Sequence, residues 1–171
     1  MIEVLVIAGP AGVGKTSVMH EVSARLRESG IAHAVVDTDA LDDVFPVPAD
    51  QSRITERNLA FVWQGYRDEL GVRRLILAGV YLHRAAELAW IQRATDADNV
   101  ILVQLVAGDE TLARRVGSRE IGSAYSAQLS RTLLQARELK RETEPAQTLV
   151  NTDGRSIGAI ATEIAAILGW A

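Results

Sequence analysis

The segment Gly9-Pro10-Ala11-Gly12-Val13-Gly14-Lys15-Thr16 satisfies G-x-x-x-x-G-K-[ST] in full, and no other stretch restricts the fold so tightly. Such a run works as a tight loop between a buried strand and a helix. Its backbone N–H groups curl around an anion, and the helix N-terminus adds partial positive charge. The flanks comply: Val4 to Ala8 is uninterrupted apolar sequence, and Ser17 to Arg27 carries Val18, Val22 and Leu26 on one helical face, with Gly30 beyond its end. The loop therefore predicts a nucleoside triphosphate held by Gly9, Ala11, Gly12, Val13, Gly14, Lys15, Thr16 and Ser17. Lys15 supplies a mobile charge to the β- and γ-phosphates, and the Thr16 hydroxyl suits one coordination position of Mg²⁺.

Strand-like and helix-like segments alternate along the rest of the chain, which predicts an α/β protein with a parallel sheet. His33 to Val36 reads as a short strand delivering Asp37, Thr38 and Asp39 at its end, and Pro46 and Pro48 break any helix between Phe45 and Gln51. A helix is expected from about Ile54 to Leu70, a strand over Arg74 to Gly79 and a short helix over Ala85 to Ala94. Val100 to Val106, apolar at nearly every position, is expected as a central strand. Asp109 is expected to cap a helix running from Glu110 to about Gly117, and Ala124 to Glu142 is polar and helix-favouring. Thr148 to Asn151 makes a weak fifth strand, and Ser156 caps a terminal helix that Gly169 ends. The expected organisation is one domain over 1–171, with a lid around 117–142.

Composition narrows the function. With 171 residues, 48% apolar, and a net charge of -4, the chain is sized for one core and lacks the basic excess that nucleic acid or anionic lipid usually demands. The absence of cysteine rules out disulfides, thiolate metal sites and cysteine nucleophiles, and fits a reducing cytoplasm. The N-terminal apolar run is too short for a membrane span and has no basic flank or cleavage signature, so no membrane association is expected.

The phosphate loop leaves the use of the nucleotide open. A GTPase would carry D-x-x-G after the third strand and N-K-x-D for the base, and neither stands there. Larger ATPase machines carry an acidic pair directly after an apolar strand, but Arg74–Gly79 leads into Val80-Tyr81 and Val100–Val106 into Ala107-Gly108-Asp109. Three features do recur in order over nearly the whole chain: the phosphate loop near residue ten, Asp37-Thr38-Asp39 after the second strand, and Leu112-Ala113-Arg114-Arg115-Val116-Gly117-Ser118-Arg119 after the fourth. In these the sequence resembles the shikimate, gluconate, adenylylsulfate and chloramphenicol kinases. The resemblance implies a five-stranded parallel sheet in the order 2-3-1-4-5 and transfer of the ATP γ-phosphate, with Mg²⁺, to a hydroxyl of a small metabolite or antibiotic. It further implies that Asn151-Thr152-Asp153-Gly154 wraps the adenine, with Thr152 and Asp153 in contact with the nucleotide.

In an open α/β sheet ligands bind beyond the carboxyl ends of the strands, which would bring Asp37 and Asp39 beside the phosphate loop. One carboxylate can take the proton of an acceptor hydroxyl while the other serves the metal side. The resemblance assigns Asp39 as base and Asp37 to the metal, and on sequence alone the two are exchangeable. Arg115 and Arg119 share a helix face and are candidates for the nucleotide and the transferring phosphate, with Arg114 a solvated neighbour. Arg53, Arg57, Tyr81, His83 and Arg84 are acceptor-side candidates, and the three tryptophans are read as packing residues. Asp42 and Asp43 stand where adenylylsulfate kinases carry an arginine, which disfavours an anionic substrate at that spot, and the glycine pair of shikimate kinases is missing after the third strand, so neither of those substrates is assigned. Two other readings stay open: an ATP-binding sensor or switch module, and a nucleoside or nucleic-acid kinase.

Overall fold

The computed structural model describes residues 1–118, 124–143 and 147–170. The elements run β1 (Glu3–Ala8), α1 (Lys15–Glu28), β2 (Ala34–Asp37), a 3-10 turn (Thr38–Ala40), α2 (Gln51–Leu70), β3 (Arg74–Gly79), α3 (Ala85–Thr95), β4 (Asn99–Val106), α4 (Asp109–Gly117), α5 (Ala124–Glu142), β5 (Thr148–Asn151) and α6 (Ile157–Leu168). The five strands form one parallel sheet in the order β2-β3-β1-β4-β5, as the resemblance implied.

β1 lies in the middle of the sheet, and β4 beside it is internal, as expected from its continuous apolar run. Both are internal strands, and hydrophobicity cannot distinguish internal strands that are each covered on two faces. Alternate residues of β1 serve opposite layers. Leu5 and Ile7 pack with Val18, Met19 and Val22 of α1 and Ile160 and Ile164 of α6, while Val4 and Val6 pack with Leu59 and Trp63 of α2 and Ile91 of α3. Burying the Trp63 ring also requires a partner for its indole, which donates to Thr95 O at 2.8 Å. Truncating that ring to alanine would cost about 3–5 kcal/mol.

Helix ends follow local chemistry. Ser156 Oγ accepts from Ala159 N at 3.2 Å at the start of α6, as predicted, and Asp50 caps α2 through Arg53 N at 3.0 Å, so that helix starts before the expected Ile54. Asp109 does not cap α4; Gly108 occupies the cap position and Asp109 is the first helical residue. The acidic partner comes from elsewhere in the chain, since Asp153 Oδ2 accepts from Gly108 N at 2.9 Å. No described helix is long and apolar enough to cross a membrane.

Candidate functional site

The parallel register sets Ala8 beside Gly79 on one side and Gln104 on the other, and Asp37 beside Ala78. The loop leaving β1 thus emerges at the carboxyl edge of the sheet, with only β3 between it and the end of β2. Gly9 turns there with φ 153, and a Cβ on it would meet Leu105 O at 2.8 Å and Val13 Cγ1 at 2.9 Å. Gly14 precedes α1 at φ 107, a conformation that side chains strain to adopt, and Val18 N already bonds Gly14 O at 2.9 Å. The curled backbone and helix N-terminus therefore form as the motif requires.

Thr16 Oγ1 donates to Asp37 Oδ2 at 3.0 Å, so two oxygen ligands of the kind that Mg²⁺ takes converge at the first turn of α1. Among the described residues no group of three or more His, Cys, Asp or Glu side chains could hold a metal by itself. A hydroxyl and one carboxylate suit an ion that also takes phosphate oxygens and water. Lys15 Nζ donates to Pro10 O at 3.2 Å, folded back along its own loop.

The other Asp37 oxygen accepts from Asp39 N at 3.2 Å, which closes the 3-10 turn and holds the two carboxylates apart by an intervening residue. Thr38 points inward, its hydroxyl donating to Ala78 O at 2.9 Å. Asp39 has a raised pKa: desolvation in the cleft dominates, with the charges of Asp37 and Asp42 adding to it and that of Lys15 opposing. Although Asp39 is exposed at the rim and feels the charge of the phosphate-loop lysine, its carboxyl holds its proton more readily than a free carboxyl would.

Asp39 also lines a cavity of about 700 Å³ bounded by Asp42, Asp43 and Val47 after β2, by Thr55 of α2, by Tyr81 and Arg84 after β3, and by Trp90 of α3. Of the expected acceptor-side residues, Tyr81 and Arg84 reach this cavity, whereas Arg53, Arg57 and His83 are not part of its lining. His83 is turned inward, 3% exposed, with Nε2 against Glu142 Oε2 at 3.0 Å and Nδ1 without a hydrogen-bond partner among the described residues. Burial holds its pKa below the usual value against the opposing pull of Glu142. Trp90 combines packing with a place on the cavity wall, its indole donating to Glu87.

On the opposite flank Arg115 Nη1 donates to Val13 O and to Thr152 Oγ1, both at 2.9 Å, and Nη2 donates to Thr152 O at 3.0 Å. One guanidinium thus joins the phosphate loop to the end of β5. Asp153, next along, has a lowered pKa through hydrogen bonds from Thr111 and the Gly108 amide and the nearby Arg115 and Arg114 charges. Arg114 is exposed, as expected, and Arg119 lies outside the described residues, as does part of the 117–142 segment.

Gln135 of α5 escaped sequence reading. Its Oε1 accepts from Ala11 N of the phosphate loop at 3.1 Å, and the residue lines the same cavity as Asp39. Further along α5, Glu138 accepts from Tyr81 at 2.9 Å and Glu142 takes two bonds from Arg84 at 2.9 and 3.1 Å. Gln135, Glu138 and Glu142 recur at helical spacing on one face, a signal that the arginines of the same stretch obscured.

No protein-family model matches the sequence, and no curated protein does. Solved structures do match. The chain superposes on the tunicamycin resistance protein of Deinococcus radiodurans with TM-score 0.69 at 18% identity, covering 99% of this chain and 96% of that one. It superposes on a shikimate kinase from Bacteroides thetaiotaomicron with TM-score 0.65 at 14% identity, covering 98% of each. The fold is that of the P-loop kinases. The APS kinase of Mycobacterium tuberculosis, solved with AMPPNP and APS, shares this P-loop kinase fold with TM-score 0.61 at 19% identity, over 98% of this chain and 97% of its own.

Proposed function

We propose that this protein is a phosphotransferase that moves the γ-phosphate of MgATP to a hydroxyl of a small molecule. The observation that carries the reading is the juxtaposition at the end of β2: Asp37 is tied to the Thr16 hydroxyl, while Asp39, two positions on and within reach of the Lys15 charge, lines a cavity. A hydrolase or a sensor has no need of a second, acceptor-sized cavity sharing a carboxylate with the phosphate loop.

Gly9, Ala11, Gly12, Val13 and Gly14 would present the loop to the phosphates, with Lys15, Thr16 and Ser17 at the start of α1. Thr16 and Asp37 would hold Mg²⁺, which when bound neutralises charge on the β- and γ-phosphate oxygens. Thr152 and Asp153 would border the nucleoside end, with Arg115 bracing that loop against Val13. Arg119 is retained as a candidate for the transferring phosphate.

In the transfer step the acceptor oxygen forms a bond to the γ-phosphorus as the bond to the β,γ-bridging oxygen breaks, and ADP departs with that electron pair. Asp39 takes the hydroxyl proton, and the desolvation that raises its pKa makes it a stronger base for the purpose. Lys15 stabilises the charge that builds on the phosphoryl oxygens. The test is ADP release from MgATP with and without hydroxylated acceptors, with Lys15→Ala as the control. Acceptor-dependent release lost in that variant supports the reading, and tight ATP binding with no acceptor-dependent release over a broad panel counts against it.

A further inference from the structure

The cavity beside Asp39 has a chemical character that narrows its occupant. Four carboxylates line it, those of Asp39, Asp42, Asp43 and Glu87, against one cationic side chain, Arg84. Arg84 is committed elsewhere: two bonds tie it to Glu142, and its guanidinium lies over the Tyr81 ring, 4.0 Å from the centroid. Such a pairing leaves little of its charge for a ligand. Asp42 holds Thr55 through one oxygen at 2.8 Å, and Glu87 takes the Trp90 indole, so both carboxylates are fixed in place with acceptor capacity to spare.

A second, independent feature is apolar. Val44 and Val47 line the cavity from the loop after β2 and are 49% and 68% exposed, and Val80, Leu82 and Trp90 add further apolar lining. Exposed aliphatic residues on the rim of a cavity favour a ligand with an apolar face of its own.

We propose, resting on the kinase reading above, that the acceptor is a hydroxyl compound bearing a protonated amine and an apolar ring or chain, and not a carboxylate or phosphate ester. The ammonium sits among Asp42, Asp43 and Glu87, the apolar part lies against Val44, Val47 and Trp90, and the hydroxyl faces Asp39. An anionic acceptor would place like charge among these carboxylates, and Arg84, the one cationic side chain of the described lining, is already paired with Glu142.

The experiment compares compounds that share a benzyl group and a hydroxyl and carry three different charges: phenylalaninol, N-acetylphenylalaninol and 3-phenyllactate. Binding to the full chain is read by calorimetry in the presence of MgADP, and transfer is read separately as ADP release from MgATP. The expected result is binding of phenylalaninol about tenfold or more tighter than either analogue, narrowing to within about threefold in Asp43→Asn and in the Asp42→Asn/Asp43→Asn double variant. Unchanged thermal midpoints and MgADP affinity in these variants would show that the fold and the nucleotide site are intact. Equal binding of all three compounds, tighter binding of phenyllactate, or no binding of phenylalaninol at millimolar concentration would overturn the proposal. Amine-selective binding without ADP release would uphold the ligand class while overturning the kinase reading, so the two can fail separately.

Discussion

The Thr16 hydroxyl lies 3.0 Å from Asp37 Oδ2 although 21 positions separate the two residues, and this bond fixes the first turn of α1 against the end of β2. If the pair holds Mg²⁺, Asp37→Ala should raise the Mg²⁺ concentration for half-maximal turnover by about tenfold, as measured by metal titration at saturating ATP. Lys15→Ala should lower kcat by about a thousandfold or more with its fold retained. An unchanged metal dependence in Asp37→Ala would remove that residue from the site.

Asp39→Asn separates binding from chemistry. Transfer should fall by about a hundredfold to ten-thousandfold while ATP affinity stays within about threefold of the original. The raised pKa means that the ionised carboxylate is disfavoured in the fold: its stabilising contribution is present below 3.8 and is lost as pH rises through the folded value. At neutral pH the neutral amide should therefore raise the thermal midpoint, by no more than about 2 °C because the residue is exposed to solvent screening. Full transfer activity in this variant with a verified acceptor would refute the base assignment.

Arg115 bridges Val13 O and Thr152, so Arg115→Ala should cost about 1–3 kcal/mol by chemical denaturation, since it strips partners from half-buried carbonyls. Nucleotide affinity should weaken with it, and Arg115→Lys should restore little because one ammonium cannot reproduce the fork. A purely catalytic arginine would instead leave stability untouched and lower only kcat.

The inward-facing His83 predicts an acid-sensitive fold. Its pKa is lowered by burial, so its stabilising contribution is present above 6.5 and is lost as pH falls from 6.5 through the folded value. Protonation would put a second N–H at Nδ1, which has no partner among the described residues, while Glu142 stays ionised because Arg84 and His83 hold its pKa down. Thermal midpoints measured downward from pH 6.5 should fall in the parent protein and flatten in His83→Gln. Equal slopes would assign the acid sensitivity to other groups.

The loop from Gly9 to Thr16, the five strands and the aspartates after β2 were legible because each is written in short-range terms: a spacing of glycines, a run of apolar residues, a polar pair at a strand end. Asp109 shows where such reading stops. Its position suits a cap, yet Asp153 reaches Gly108 N from beyond β5, and nothing local to either residue records that approach. His83 is similar: its place after β3 suggested a cavity residue, but the fold buries it, with Nε2 against Glu142.

By itself the sequence determined that a phosphate-binding loop joins a buried strand to a helix, that the elements alternate as α/β, and which carboxylates follow β2, since torsional preference and hydrophobic period act over a few residues. Tertiary structure alone decided that Thr16 meets Asp37, that Arg115 locks Val13 to Thr152, that Gln135 reaches Ala11, and that the cavity beside Asp39 is acidic. Those distances depend on strand order and register, which are set by packing two layers of helices on one sheet and not by any neighbouring stretch of chain.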